Sequence, residues 1–291
     1  MNFGRSIPAA SARRPGNRDP ATAGNERITS RLAHKPNVQL LGHFFYRHPG
    51  IVRLLVVIAV LIAWEILARW FMDPLFASPP SRIVASLGAT FSTEGVPAAL
   101  QVTLFELAVA FAISVVFGLV IGLAIGLQPF ARQSLMPIVL LIYGLPKITI
   151  LPLFILTFGI GPEAKIAFGV AHGVFPIIIT VVAGMQNLKP ILLTSARSMG
   201  ANGWQILRWV IFPHMIPSFF AGMRLGMSSV LLGVLLAELY VSTAGIGYFT
   251  TMFTENFDPT KLFGLITMLA AMAIVLNEIV RRAEIKFSRW R

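Results

Sequence analysis

Polar and apolar positions in this 291-residue chain come in long blocks. After about 50 mostly polar positions there are apolar runs at 51–71, 100–127, 135–158, 166–185, 214–240 and 262–280. A helix crosses a bilayer with roughly 20 apolar residues. The pattern therefore predicts an all-α integral membrane protein with about six transmembrane helices. Between the first two runs, Asp73-Pro74 and Ser78-Pro79-Pro80-Ser81 mark turns. Residues 82–91 then predict a short amphipathic helix at the outer surface, with Ser81 as its cap.

Interruptions in these blocks carry most of the information. In the third run, Pro146 and Pro152 stand six residues apart, and each removes a helical hydrogen bond, so the span must kink or break. A broken span is stable in a membrane only against protein or a water-filled cavity, which points to a pore lined by Pro146, Lys147 and Pro152. The second run spaces Gly118, Gly122 and Gly126 four apart, a stripe that lets another helix approach closely, with a neighbour in the same chain expected. Gly222 and Gly226 repeat the device in the fifth run, which is expected to line the path with the third.

Between the fourth and fifth runs lies a basic, polar interruption, KPILLTSARSMGANGWQILRWVIFP, from Lys189 to Pro213. Pro190 suits a first helical turn, Gly200 the residue past a helix end, and Asn202 the N-cap of a second helix, 203–211, closed by Pro213. Trp204, Leu207 and Ile211, with Ile206 on the shoulder, would form one apolar face, leaving Gln205 and Arg208 wet. An ordinary amphipathic interfacial loop is the alternative reading.

Composition agrees with a bilayer: 56% hydrophobic and 12% charged residues, against about 25% charged in soluble domains. The formal charge of +12 is no nucleic-acid footprint, because most of it flanks apolar runs. Residues 1–50 hold eight Lys or Arg, Arg5 to Arg47, with few large apolar groups, and read as a disordered basic cytoplasmic tail held near anionic lipid. Arg281, Arg282, Lys286, Arg289 and Arg291 follow the last run. The positive-inside rule then puts both termini in the cytoplasm. The absence of Cys excludes disulfides and thiolate sites. His172 has no second ligand at metal spacing and reads as a packing histidine.

The Lys189–Pro213 stretch resembles the cytoplasmic EAA signature of membrane subunits of binding-protein-dependent ABC importers: E-A-A, three residues, G, nine residues, then I-x-L-P. Ala196, Gly200 and Pro213 agree with it, while Thr194, Ser195, Val210 and Phe212 replace Glu, Ala, Ile and Leu. The phrase LPKITILPLFILTFGIG, Leu145 to Gly161, resembles the corresponding stretch of the nitrate, sulfonate and taurine group of these permeases. Glu238, followed by Gly245, Ile246, Gly247 and Tyr248, resembles the family's A-E-x-x-x-x-x-x-G-L-G-Y segment at the outer mouth.

This resemblance covers about 51–290 and implies a type I importer permease fold in a bacterial cytoplasmic membrane. It implies that Thr194, Ser195, Ala196, Gly200, Trp204, Leu207 and Pro213 couple to a cytoplasmic ABC ATPase. An extracytoplasmic substrate-binding protein and a second permease subunit, giving a homodimer, complete the expected assembly. Nothing catalytic is expected on this chain, which has no G-x-x-x-x-G-K-[ST] phosphate loop; ATP and Mg would bind the partner ATPase. The implied cargo is a small anion, an alkanesulfonate, taurine or nitrate, with thiamine-precursor pyrimidines also in the group. Lys147 either contributes to an anion path or snorkels to the inner surface, and Glu238 either gates or anchors the outer mouth. A self-sufficient ion-coupled transporter or channel is the alternative function. It would have to use Glu106, Lys147, His172 and Arg224, which form no evident relay.

Overall fold

The computed structural model describes residues 49–241 and 243–288, and the expected tail lies almost wholly outside them. By its contacts the chain divides at Ala63/Trp64. α1, Pro49–Trp70, begins before that division, and its first part is a plain apolar helix with Leu54, Val56, Val60 and Ile62 exposed. All remaining elements belong to the second unit. They are α2 (Pro80–Phe91), α3 (Val96–Leu127), α4 (Pro129–Gly144), α5 (Leu151–Phe158), α6 (Pro162–Gln186), α7 (Pro190–Ser198), α8 (Gly203–Ile206), α9 (Phe212–Val241), α10 (Ile246–Glu255) and α11 (Pro259–Ser288). Among the described residues five helices are long and apolar enough to cross a membrane, and α4 with the 147–158 segment, bent by 84°, makes a sixth if the pair is counted as one span.

Helix α6 is the centre of the second unit. The stripe Gly118, Gly122 and Gly126 of α3 lies against its Ile177, Val181 and Met185. A Cβ placed on Gly118 would come within 2.7 Å of Ile177, and one on Gly122 within 2.8 Å of Val181. Close backbone approach is how helices associate where lipid competes equally for Leu, and the partner is the expected intrachain neighbour. On another face of α6, Gly222 and Gly226 of α9 meet Thr180 and Ile177, so both glycines serve the α6–α9 seam. Outside this trio, α11 packs on α9 through Phe220, Met227 and Val280. At one end α10 joins Ile246 and Phe253 to Val96 and Leu265. Large apolar side chains stay exposed on α3, α4, α5 and α11, among them Phe117, Leu141, Leu153 and Ile274.

Several local expectations change. Pro146 breaks the third span just after α4, whereas Pro152 lies in the first turn of α5, where a missing N–H costs nothing; one proline breaks the span and the other starts its second half. Ser81 does not cap α2. Its hydroxyl and N–H instead hold Glu65, at 2.7 and 3.0 Å, and Glu65 also pairs with Arg69 at 2.5 Å. The fourth span starts at Pro162, four residues before the apolar run at 166–185, which places Lys165 inside the helix. The glycine-rich segment after Glu238 leads into α10, a helix the sequence pattern did not predict.

Candidate functional site

Functional groups fall at three levels of the second unit. At the end formed by α7 and α8, the helix–turn–helix is built almost as its residue types dictate. Pro190 opens α7 and Gly200 takes φ +80°, which a residue without Cβ adopts freely. The N–H of Gly200 bonds Arg197 O at 2.9 Å and that of Ala201 reaches Ala196 O at 3.1 Å, the two bonds of a Schellman ending. Asn202 and Gln205 exchange side-chain and backbone bonds, both 2.8 Å, in a capping box. Both sides of the turn are therefore fixed by hydrogen bonds.

Pro213 does not close the second helix. Residues 203–240 run as one long helix, with a π-helical turn at Leu207–Ile211 in which the N–H of Phe212 reaches back to Leu207 O. Pro213 has no N–H for the carbonyl four residues earlier, and a wider turn absorbs that gap without a break. The same turn spoils the helical-wheel expectation for the apolar face. Ile206 is buried, and Leu207 and Ile211 are half-buried within their own chain. Trp204 of that face is exposed (66%), as are Trp209 (70%) and Met199 (81%), which lie off it. Of the other expected coupling residues, Ala196 is buried, while Thr194 and Ser195 are exposed. Thr194 turns its hydroxyl back to Pro190 O at 3.2 Å. Ser195, Ala196, Met199, Trp209 and Pro213 line a 410 Å³ pocket beside this turn.

Lys147 lies at the middle level, directly after the break. Its ammonium donates to Tyr143 O at 2.9 Å and sits over the rings of Tyr143 and Phe175, at 4.9 and 5.4 Å. Phe175 is near the midpoint of α6, so Lys147 lies at the mid-helix level of α6. It opens, with Pro146, Ile142, Thr149 and Phe175, on a 370 Å³ cavity. Pro152 is exposed one turn further on. His172 is buried and holds Phe168 O through Nδ1 at 3.0 Å, as a packing histidine should. Among the described residues no cluster of His, Cys, Asp and Glu could hold a metal ion.

At the α10 end, three charges are buried together: Glu106 at 0%, Glu238 at 1% and Lys165 at 7% exposure. Lys165 pairs with Glu106 at 2.5 Å and reaches Ala244 O at 3.2 Å. Glu238 accepts from Thr103 at 2.7 Å and from the Gly247 N–H at 2.8 Å, while Thr103 in turn accepts from the Ile246 N–H at 2.9 Å. The network ties α3, α6 and α9 to the start of α10. Its geometry agrees with the anchor reading of Glu238. Glu106 and Lys165, which have no role in the sequence reading, are the missed partners. Their only sequence signal is opposite charge near the ends of the second and fourth apolar runs, which does not say which helix faces meet. Arg224 of α9 pairs with Glu284 of α11.

Comparison with known proteins follows the same lines. Residues 114–284 match the family model described as binding-protein-dependent transport system inner membrane component. The taurine transport system permease protein TauC of Escherichia coli K12 is 28% identical over 240 residues, covering 80% of this chain and 87% of TauC. The formylaminopyrimidine transport permease protein ThiX of Halalkalibacterium halodurans is 25% identical over 235 residues, 80% and 92% of the two chains. The aliphatic sulfonates permease protein SsuC of Bacillus subtilis is 27% identical over 244 residues, covering 83% and 88%. Among solved structures, an inward-facing MetNI methionine ABC transporter chain aligns with a TM-score of 0.55 at 20% identity, over 64% of this chain and 94% of that one. That likeness concerns the fold.

Proposed function

Because this chain belongs to the family of binding-protein-dependent transport system inner membrane components, we propose that it is the membrane-spanning subunit of an ATP-driven ABC importer. It provides the translocation path, and hydrolysis takes place on a separate cytoplasmic ATPase. Two copies form the pore, an extracytoplasmic binding protein delivers the solute, and both termini face the cytoplasm. The solute is a small anion of the sulfonate, taurine or nitrate kind. The names of the taurine and sulfonate relatives support that class; the pyrimidine relative belongs to the same similarity range.

One observation carries the coupling assignment. The 190–211 turn is rigid in its backbone, through its Schellman ending and capping box, yet it exposes Met199, Trp204 and Trp209 beside an apolar pocket. A rigid element with uncovered aromatic side chains is what a protein partner needs as a lever and an anchor. Coupling then follows as a rigid-body movement: closure of the ATPases around ATP shifts this turn, and the continuous helix 203–240 carries the displacement past Lys147's level to Glu238.

Purification of the full chain from mild detergent tests this. An ATPase should accompany it in near-stoichiometric amount. Gly200→Trp, which puts a side chain at φ +80° at a cost of about 1–2 kcal/mol, should lose that ATPase while the chain still unfolds cooperatively, with its transition lowered by only a few degrees. A wild-type chain that purifies alone, or a variant that keeps both ATPase and uptake, contradicts the assignment.

A further inference from the structure

We propose that Lys147 is the charge-selecting residue of the translocation path, holding the oxyanion head of a small organic anion midway across the membrane while the adjacent apolar wall takes its tail. The proposal rests on the importer reading and adds a binding subsite and its ligand chemistry.

Depth is the first argument. Lys147 follows the Leu145-Pro146 break, where the span bends by 84°, and its ammonium lies 5.4 Å from the ring centre of Phe175, a mid-helix residue of α6. A cation at the bilayer centre costs about 2.5–3.5 kcal/mol on insertion scales, and such groups pair with one another or line a pathway. The second argument is compensation. Two other cations within long helices pair with carboxylates: Lys165 has Glu106 and Arg224 has Glu284. Lys147 has one carbonyl and two ring faces. An ammonium has three N–H donors, so two are left for a ligand. A structural lysine at this depth would be expected to sit against a carboxylate, as Lys165 does.

The cavity supplies the rest of the site. Its 370 Å³ lies within the ~300–1,000 Å³ usual for small-molecule pockets. Ile142, Leu145, Ile150, Ala171 and Phe175 make its wall apolar, and Thr149 adds a hydroxyl, although that hydroxyl already donates to Pro146 O at 2.8 Å. One cation with two free donors in an apolar cup suits a compact oxyanion on a short aliphatic chain. It is poorly suited to a cation or to a large polar heterocycle, whose several donors and acceptors would find no partners.

The test uses the full chain in lipid nanodiscs and 3,3,3-trifluoropropanesulfonate as the probe, followed by its fluorine NMR linewidth. The wild type should broaden the probe signal saturably. Lys147→Arg should do the same, because the charge remains, and Lys147→Met should weaken binding about tenfold or more, the loss of a charge-assisted hydrogen bond. A wild type that leaves the probe unaffected, or a Met variant that binds like the wild type, overturns the proposal. Met at this depth removes an intramembrane charge and so does not threaten insertion. Copurification of the ATPase with each variant reads the importer assignment separately: a wild type that does not bind the probe, or a Met variant that binds it like the wild type, refutes the subsite alone when the ATPase is retained, and absence of the ATPase from the wild type refutes the importer reading whatever the probe does.

Discussion

Lys165 and Glu106 form the most deeply buried ion pair in the described structure, with side chains 8% and 0% exposed. Removing one partner of such a pair leaves an uncompensated charge and costs about 3–5 kcal/mol, whereas neutralising both is far milder. Lys165→Met is therefore expected to lower the thermal unfolding temperature in detergent sharply, and Glu106→Gln combined with it should recover most of the loss. Additive losses in the double variant would show that the pair is not coupled. The same residues mark the limit of single-sequence reading. A pair such as Glu65 with Arg69 was within reach of the sequence, because residues four apart on one helix face each other. Glu106 with Lys165 was not, because pairing across helices depends on which faces meet. Gly200 and Asn202 were legible since their roles are local, fixed by backbone conformation and by a bond three residues away.

Among the elements, the spans and the break at Pro146 follow from length, hydropathy and proline chemistry. Two element-level features do not. The π turn at Leu207–Ile211 depends on how the chain absorbs Pro213, and it changed which side chains of the coupling turn face outward. Helix α10 is stabilised by packing of Ile246 and Phe253 on α3 and α11, a tertiary effect that overrides the loop signal of its glycines. The glycine stripe of α3 gives a direct check at this scale. Gly118→Leu forces a side chain into Ile177, where even a Cβ comes within 2.7 Å, and overpacking of this kind costs about 1–3 kcal/mol. We expect lower yield and a lower unfolding temperature for Gly118→Leu, and no change for Val120→Leu, whose side chain is 59% exposed on the same helix. Equal behaviour of the two variants would mean that the α3–α6 contact is not close.

For the whole molecule, the account joins a fixed turn at one end, a lone lysine at mid-depth and a buried charge network at the other end through helices α6 and α9. Its central claim is that solute movement is driven by ATP acting on a partner at the 190–211 turn, and not by an ion gradient acting on charges within the spans. The most direct measurement is uptake of labelled taurine into proteoliposomes containing this chain with its copurified ATPase and its binding protein. The account predicts uptake that requires ATP on the side of the 190–211 turn and persists when proton and sodium gradients are collapsed. Uptake that follows an ion gradient and proceeds without ATP would contradict it.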